Sequence, residues 1–464
     1  MKVAPAEDIL AILIGGSLLL VSLLCVQIQD APDRFDEDSV LARHGLTNWV
    51  AKPGKWANDP GEALGGWESG LPKLKAVAGA GGLLWLVFAI AAIATGQSLL
   101  RFSLGFAGLF VLATAAYLMA GQVFVRAYNL EYALWALVLG LVIANTVGTP
   151  RWIQPAANTE FYIKTGLVLL GSEILMSRLL ALGPPGITVA WVVTPIVLVS
   201  TFWFGQRVLK MESPTLNMVI SADMSVCGVS AAIASAAACR AKKEELSLAI
   251  GLSLSFTVIM MVVMPAVISA TGMTQTLGGA WMGGTIDASG AVAAAGEMLG
   301  DEAAQVAVTI KMIQNILIGV AAFGIAVFWT TFMDRNPPNM SDNDAEPPTN
   351  VGLSEVWFRF PKFILGFLAA SILFSWLHAN GATGALMAES SIGVTKILRG
   401  WLFCLAFVSI GLETDFRKLR QNLQGGKPLV LYIAGQSLNL VLTLAMAYVA
   451  FEVLFPQSIR LAAP

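Results

Sequence analysis

The sequence predicts an all-α polytopic membrane bundle of about 11–13 helices, with internal repeats and two discontinuous (broken) helices. Three observations predict it. The 464 residues are 56% hydrophobic and only 12% charged, with a mean hydropathy of +0.72; a soluble globular chain carries about 25% charged residues. Apolar stretches near the roughly 20-residue length of a membrane helix recur from end to end. Two stretches, 221–240 and 281–299, are instead small, polar-speckled and glycine-bearing.

The elements follow in order. "ILAILIGGSLLLVSLLCV" (Ile9–Val26) is about as long as a span, and no clean cleavage site follows it, so it is expected to be an uncleaved helix. A polar stretch, about 27–71, is rich in Asp, Gly, Pro and Trp and is expected to form an extramembrane loop or cap. Spans are predicted at Lys75–Thr95, Phe102–Val125, Tyr132–Val147, Tyr162–Leu182 and Ile187–Val208. The small-residue stretch 221–240 follows, then a span at Leu246–Ala270, then the stretch 281–299. The last spans are Ala303–Phe332, Phe360–Leu377, Val394–Leu412 and Pro428–Leu454. A Pro/Asn/Asp-rich linker at 334–355 divides the chain. The resulting domains are an N-terminal region (1–130), a first lobe (131–333), the linker and a second lobe (356–464).

A repeat is visible. "ALVLGLVIANTV" (Ala136–Val147) matches "KFILGFLAASIL" (Lys362–Leu373), and each of two later stretches carries Gly-x-Glu, Gly171/Glu173 and Gly411/Glu413. Transporters are often duplicated in this way. The units are expected to be opposed if 281–299 crosses the membrane, and parallel if it is re-entrant. Arg178 and Arg417 follow the two glutamates by five and four residues, which suggests interfacial ion pairs; gating or proton carriage is the alternative.

Several classes are excluded or left without support. A net charge of −2 gives no field for nucleic acid. Four scattered cysteines and two histidines supply neither a disulfide frame nor a metal cluster. Walker A, G-x-S-x-G and H-E-x-x-H motifs do not occur, so an enzyme, a resident cofactor and an internal ATPase are not expected.

The chemistry lies in the small-residue stretches. Small side chains at Ser225, Cys227, Gly228 and Ser230 leave backbone amides approachable at a helix break, where an anion can sit. Gly284, Thr285, Ser289 and Gly290 repeat the pattern. Close helix packing explains the same residues without any ligand. Each stretch carries one acid, Asp223 and Asp287, and a crossed pair of broken helices at the midplane is the expected arrangement. Lys311, with Asn315 one turn on, lies well inside a helix. It could bind an anion, neutralise an aspartate or snorkel to an interface.

The stretch "CGVSAAIASAAACRAKKEELSLAI", with "WMGGTIDASGAVAAAGEMLGDEAAQVAVTIKMIQN" and "SIGLETDFRKL", resembles the bacterial sulfate exporter family, the YeiH-like membrane proteins. The resemblance spans roughly Tyr132 to Leu454. It implies a secondary carrier of sulfate or a related small anion, and it carries the motif onto Cys227, Gly228, Ser230 and Ala231 and the family lysine onto Lys311. The family often has a histidine where this chain reads Thr285-Ile286-Asp287, and a basic residue commonly follows the lysine where this chain reads Met312.

Three functions follow as expectations. The first is an anion transporter of the bacterial inner membrane, working by alternating access, with Asp223 and Asp287 binding Na⁺ or H⁺ for coupling. The second is a cation/proton antiporter. The third is a membrane sensor or scaffold. The expected partners are a small anion, the lipid bilayer and a second copy in a homodimer.

Overall fold

The computed structural model describes residues 4–30, 40–66, 72–127, 132–173, 176–333, 362–417 and 426–456. The linker at 334–355 lies outside them. Nearly all of the described chain is helical, and eight helices are long and apolar enough to cross a membrane. The fold is a polytopic helical membrane bundle. Its described residues group into two compact units, one within 1–179 and 362–416, the other within 180–361 and 417–464.

In the first unit, α1 (Ala4–Leu24) is followed by a hairpin of β1 (Val26–Asp30) and β2 (Val40–His44), paired Val26↔His44 through Asp30↔Val40. This hairpin departs from all-α, and it falls in the polar insert, where Val-Gln-Ile-Gln alternates with the period of a strand. A short 3₁₀ turn, Pro60–Leu64, starts where Asp59 accepts the Gly61 N–H at 2.9 Å. Then come α2 (Pro72–Ala94), α3 (Leu99–Gly121), α4 (Val123–Ala127), α5 (Tyr132–Thr146) and α6 (Thr159–Gly171).

The second unit begins in α7 (Met176–Arg207) and continues through α8 (Pro214–Ser225), α9 (Val229–Cys239) and α10 (Lys243–Thr271). It goes on with α11 (Gln275–Thr285), α12 (Ser289–Leu299), α13 (Asp301–Asn315) and α14 (Leu317–Phe328). The chain returns to the first unit with α15 (Phe363–Ala379) and α16 (Gly381–Glu413), then ends in the second with α17 (Lys427–Tyr448).

One predicted boundary moves. The sequence places a helix end near Pro184 and Pro185, but both lie inside α7, and the preceding helix, α6, ends earlier, at Gly171. Prolines are tolerated inside membrane helices when neighbouring structure absorbs the lost hydrogen bond. Gly186, directly after them, packs against Ile310 and Ile313 of α13.

The repeat takes physical form in the first unit. Gly140 on α5 and Gly411 on α16 face each other so closely that a Cβ on Gly411 would lie 2.4 Å from the Leu137 carbonyl oxygen. The repeat equates Gly140 with Gly366 and Gly411 with Gly171. The equivalent contact exists: a Cβ on Gly171 would lie 2.3 Å from the Phe367 carbonyl oxygen, and one on Gly366 would lie 3.0 Å from Val168. α6 and α16 run antiparallel, with Thr159 beside Glu413 at one end and Glu173 beside Arg399 at the other. The repeated helices therefore have opposite orientation.

Candidate substrate site

The two small-residue stretches build the centre of the second unit. Each is broken where the sequence places a break, at Val226–Gly228 and Ile286–Ala288. Gly228 sits at φ +64°, a conformation that costs other residues about 1–2 kcal/mol. The breaks are not kinks in crossing helices, however. The Cys239 sulfur, at the end of α9, lies 3.9 Å from the Thr215 carbonyl at the start of α8. Gly300, after α12, lies against Gln275 at the start of α11, and Gly278 against Leu299. Each stretch is thus a re-entrant helical hairpin whose arms fold back on each other.

This corrects the expected crossed pair, and the reason is length. Arms of 11 or 12 residues rise only about 17 Å, near half the hydrocarbon thickness. It also explains why the repeats are opposed although 281–299 is re-entrant: the earlier stretch is re-entrant too.

Both hairpins are fastened at their open ends in the same manner. Glu245, in the first turn of α10, accepts hydrogen bonds from Ser213 and, at 2.8 Å, from Thr215. Glu302, in the first turn of α13, accepts one from Thr276. These carboxylates also suit the positive end of their own helices.

The tips meet. A Cβ on Gly228 would lie 3.3 Å from the Asp287 Cβ and 3.1 Å from the Ser253 hydroxyl. Four helix ends converge there, two of each polarity. The carbonyl ends of α8 and α11 are satisfied by side chains. Lys311 donates to the Val226 carbonyl at 2.8 Å, and Gln314 donates to those of Ser225 at 3.1 Å and Gly284 at 3.2 Å. From α17, Gln436 donates to the Thr285 carbonyl at 3.1 Å and Asn439 to that of Met224 at 3.1 Å. The amide ends of α9 and α12 have Gly228 and Ala288 as N-caps, which carry no side-chain acceptor. Ser230 is exposed and Ser289 half-exposed beside these ends. The negative ends are thus tied to the protein and the positive ends are left for something else.

All twelve sequence-predicted site residues lie in this assembly. Ser225, Cys227, Gly284, Thr285 and Gly290 are buried near the tips. Asn315 donates to the Ser289 hydroxyl at 3.0 Å. Asp287, 1% exposed, accepts the Tyr432 hydroxyl. Asp223, 0% exposed, has no hydrogen-bond partner on either oxygen among the described residues. Lys311 is 2% exposed and does not snorkel; its ammonium also donates to Gln314 at 2.7 Å and forms no ion pair among the described residues. The three expected roles for Lys311 therefore need amending: it first holds the carbonyl end of α8.

Sequence reasoning missed Gln314, Tyr432, Gln436, Asn439 and Thr443, whose hydroxyl donates to the Asn439 amide oxygen at 2.8 Å. A signal was present, because the last four recur at helical spacing on one face of an otherwise apolar helix.

The glutamates of the repeat lie in the first unit. Glu173 makes a buried bidentate pair with Arg399, at 2.7 and 3.1 Å. An interfacial pair with Arg178 was expected, but the Arg178 side chain lies outside the described ones. Glu413 accepts from Thr159 at 3.2 Å.

A family model described as "Conserved hypothetical protein 698" matches residues 104–432. The chain is 61% identical over 415 residues to a UPF0324 membrane protein of Rhodopirellula baltica, covering 89% of this chain and 74% of that one. The chain belongs to the UPF0324 membrane protein family. It is also 57% identical over 380 residues to a member from Nitratidesulfovibrio vulgaris, covering 81% of this chain and 64% of that one. The match to a member from Nitrosomonas europaea is 30% identical over 430 residues, at 81% and 84% coverage. The chain thus spans just under two thirds of the length of the Nitratidesulfovibrio relative. No solved structure matches it.

Proposed function

We propose that this UPF0324 protein is a secondary active transporter that moves a small anion across the bacterial inner membrane by alternating access. One observation carries the reading. Two opposed hairpins meet tip to tip and present two uncapped helix amide ends, while lysine and amide side chains occupy the carbonyl ends. Such ends attract anions through free N–H groups and the helix dipole. Opposed repeats supply the two related states that alternating access needs. The accessible Ser230 and Ser289 hydroxyls suit an oxyanion, and the resemblance to sulfate exporters suggests a sulfur oxyanion, a sulfonate or a small carboxylate. With Lys311 as the buried cation of this assembly among the described residues, and two aspartates close by, a singly charged anion fits better than a doubly charged one.

The test is a thermal-stability panel on purified protein at fixed Na⁺, with sulfate, sulfite, thiosulfate, bicarbonate, sulfonates and small carboxylates. Saturable stabilisation by one class is expected, since a ligand that binds only the folded state raises its stability. A flat response to every anion contradicts the reading. A second reading, cation/proton antiport, draws support from the unpartnered Asp223; it predicts flux of cations with no anion requirement.

A further inference from the structure

We infer that Asp223 is the carboxylate of a sodium site, distinct in role from Asp287. This deepens the transport reading by naming the coupling ion, and it concerns the same assembly. Asp287 already has a donor in Tyr432, whose single hydroxyl proton is thereby used. Lys311 spends two of its three N–H groups on the Val226 carbonyl and Gln314. The Ser253 and Tyr432 hydroxyls approach Asp223, with Asp287 and Lys311 close by, but neither Asp223 oxygen completes a hydrogen bond of ordinary distance and angle. Two carboxylates and one ammonium, each at most 2% exposed, leave one negative charge uncompensated, and a buried charge demands a counter-charge.

Unpartnered atoms on the helices that carry these neighbours indicate which counter-charge. Thr257 stands one helical turn beyond Ser253 on α10, and its hydroxyl oxygen is buried without a partner. Gln436, one turn beyond Tyr432 on α17, has its amide oriented by the bond from its nitrogen to the Thr285 carbonyl, and its oxygen is likewise buried and unpartnered. The Thr285 hydroxyl adds another such oxygen. A proton on Asp223 satisfies one acceptor. A hard cation bound by carboxylate, amide and hydroxyl oxygens satisfies several together. The absence of any His/Cys/Asp/Glu trio of metal-binding type among the described residues directs the site toward a monovalent ion.

The experiment uses the full-length purified protein with no candidate substrate, so it is independent of whether the anion reading holds. Melting is followed as NaCl replaces KCl or choline chloride at constant ionic strength. The expected result is a saturable rise of a few degrees with Na⁺ alone. Asp223→Asn is expected to melt higher than wild type without Na⁺ and to lose the Na⁺ response, and Gln436→Leu to weaken apparent Na⁺ affinity several-fold. Equilibrium binding of ²²Na⁺ to wild type reads the same site without any variant, and a single saturable class is expected. Equal responses to Na⁺ and K⁺, an undiminished Na⁺ response in Asp223→Asn, or no saturable ²²Na⁺ binding each overturns the proposal. A melting temperature that rises as pH falls but ignores Na⁺ also overturns it, in favour of a proton.

Discussion

Lys311 shows how a buried charge can serve a backbone. Its ammonium holds the Val226 carbonyl and Gln314, so its removal strands two buried acceptors. Lys311→Met keeps much of the volume and is expected to cost about 2–4 kcal/mol, read by denaturant or thermal melting. A change below about 0.5 kcal/mol would contradict the assigned bonds. The two repeat glutamates give a sharper contrast. Arg399→Leu removes the bidentate partner of buried Glu173 and is expected to cost about 3–5 kcal/mol. Glu413→Gln touches only a long bond from Thr159 at an exposed end and is expected to change stability by less than about 1 kcal/mol. His44 belongs to the same scale. Its Nδ1 accepts the Leu46 N–H at 3.1 Å, its Nε2 faces Ser22 at 3.0 Å, and burial holds its pKa below the usual value. Because the folded pKa is depressed, the contribution of neutral His44 is complete above about pH 6.5 and is lost as pH falls. Amide protection factors in β1 and β2, corrected for the intrinsic pH dependence of exchange, are expected to fall below that pH and to become less pH-dependent in His44→Gln. At this scale the sequence was informative about which residues gather. Small residues, two acids and a lysine in lipid-spanning chain are conspicuous because each is costly unless used. Their partners were not legible, since Lys311 could equally have met an aspartate or a carbonyl.

The hairpins are the element that decides the site. Their breaks were legible in glycine and small-residue content; their folding back was not. A run of about 20 small residues is equally long enough for one crossing, and no local residue distinguishes a kink from a return. What distinguishes them is long-range: Cys239 against Thr215, Gly300 against Gln275, and the Glu245 and Glu302 fastenings. Gly228 concentrates the requirement, with its left-handed backbone and its tip against Asp287 and Ser253. Gly228→Ala is expected to lower stability by about 1–3 kcal/mol and to weaken anion binding more than tenfold, because the strained tip must shift. Binding equal to wild type would show that the tips do not form the site. The face of α17 bearing Tyr432, Gln436, Asn439 and Thr443 was legible in principle, since polar residues at spacings of three and four in a membrane helix mark the side that faces protein.

Across the molecule, opposition is the organising feature. In the first unit α5 meets α16, and α15 meets α6, through equivalent glycines, and in the second two hairpins meet through their tips. The repeat was legible from Gly140/Gly366 and Gly171/Gly411, but its orientation was not, because that depends on whether each intervening stretch crosses or returns. The symmetry is imperfect: the repeat equates Arg399 with Thr159, so Glu173 has a charged partner where Glu413 has a hydroxyl. Lipid-facing positions follow the same plan, with Leu180, Val199 and Trp203 on α7 and Val441 on α17 exposed as a membrane protein requires. The most direct test of the central idea is tracer uptake into proteoliposomes, using the anion class that stabilises the purified protein. Uptake by wild type is expected, with at least a tenfold loss in Gly228→Ala and in Lys311→Met although both remain folded. Undiminished uptake by both variants would mean that whatever the protein carries does not pass between the hairpin tips.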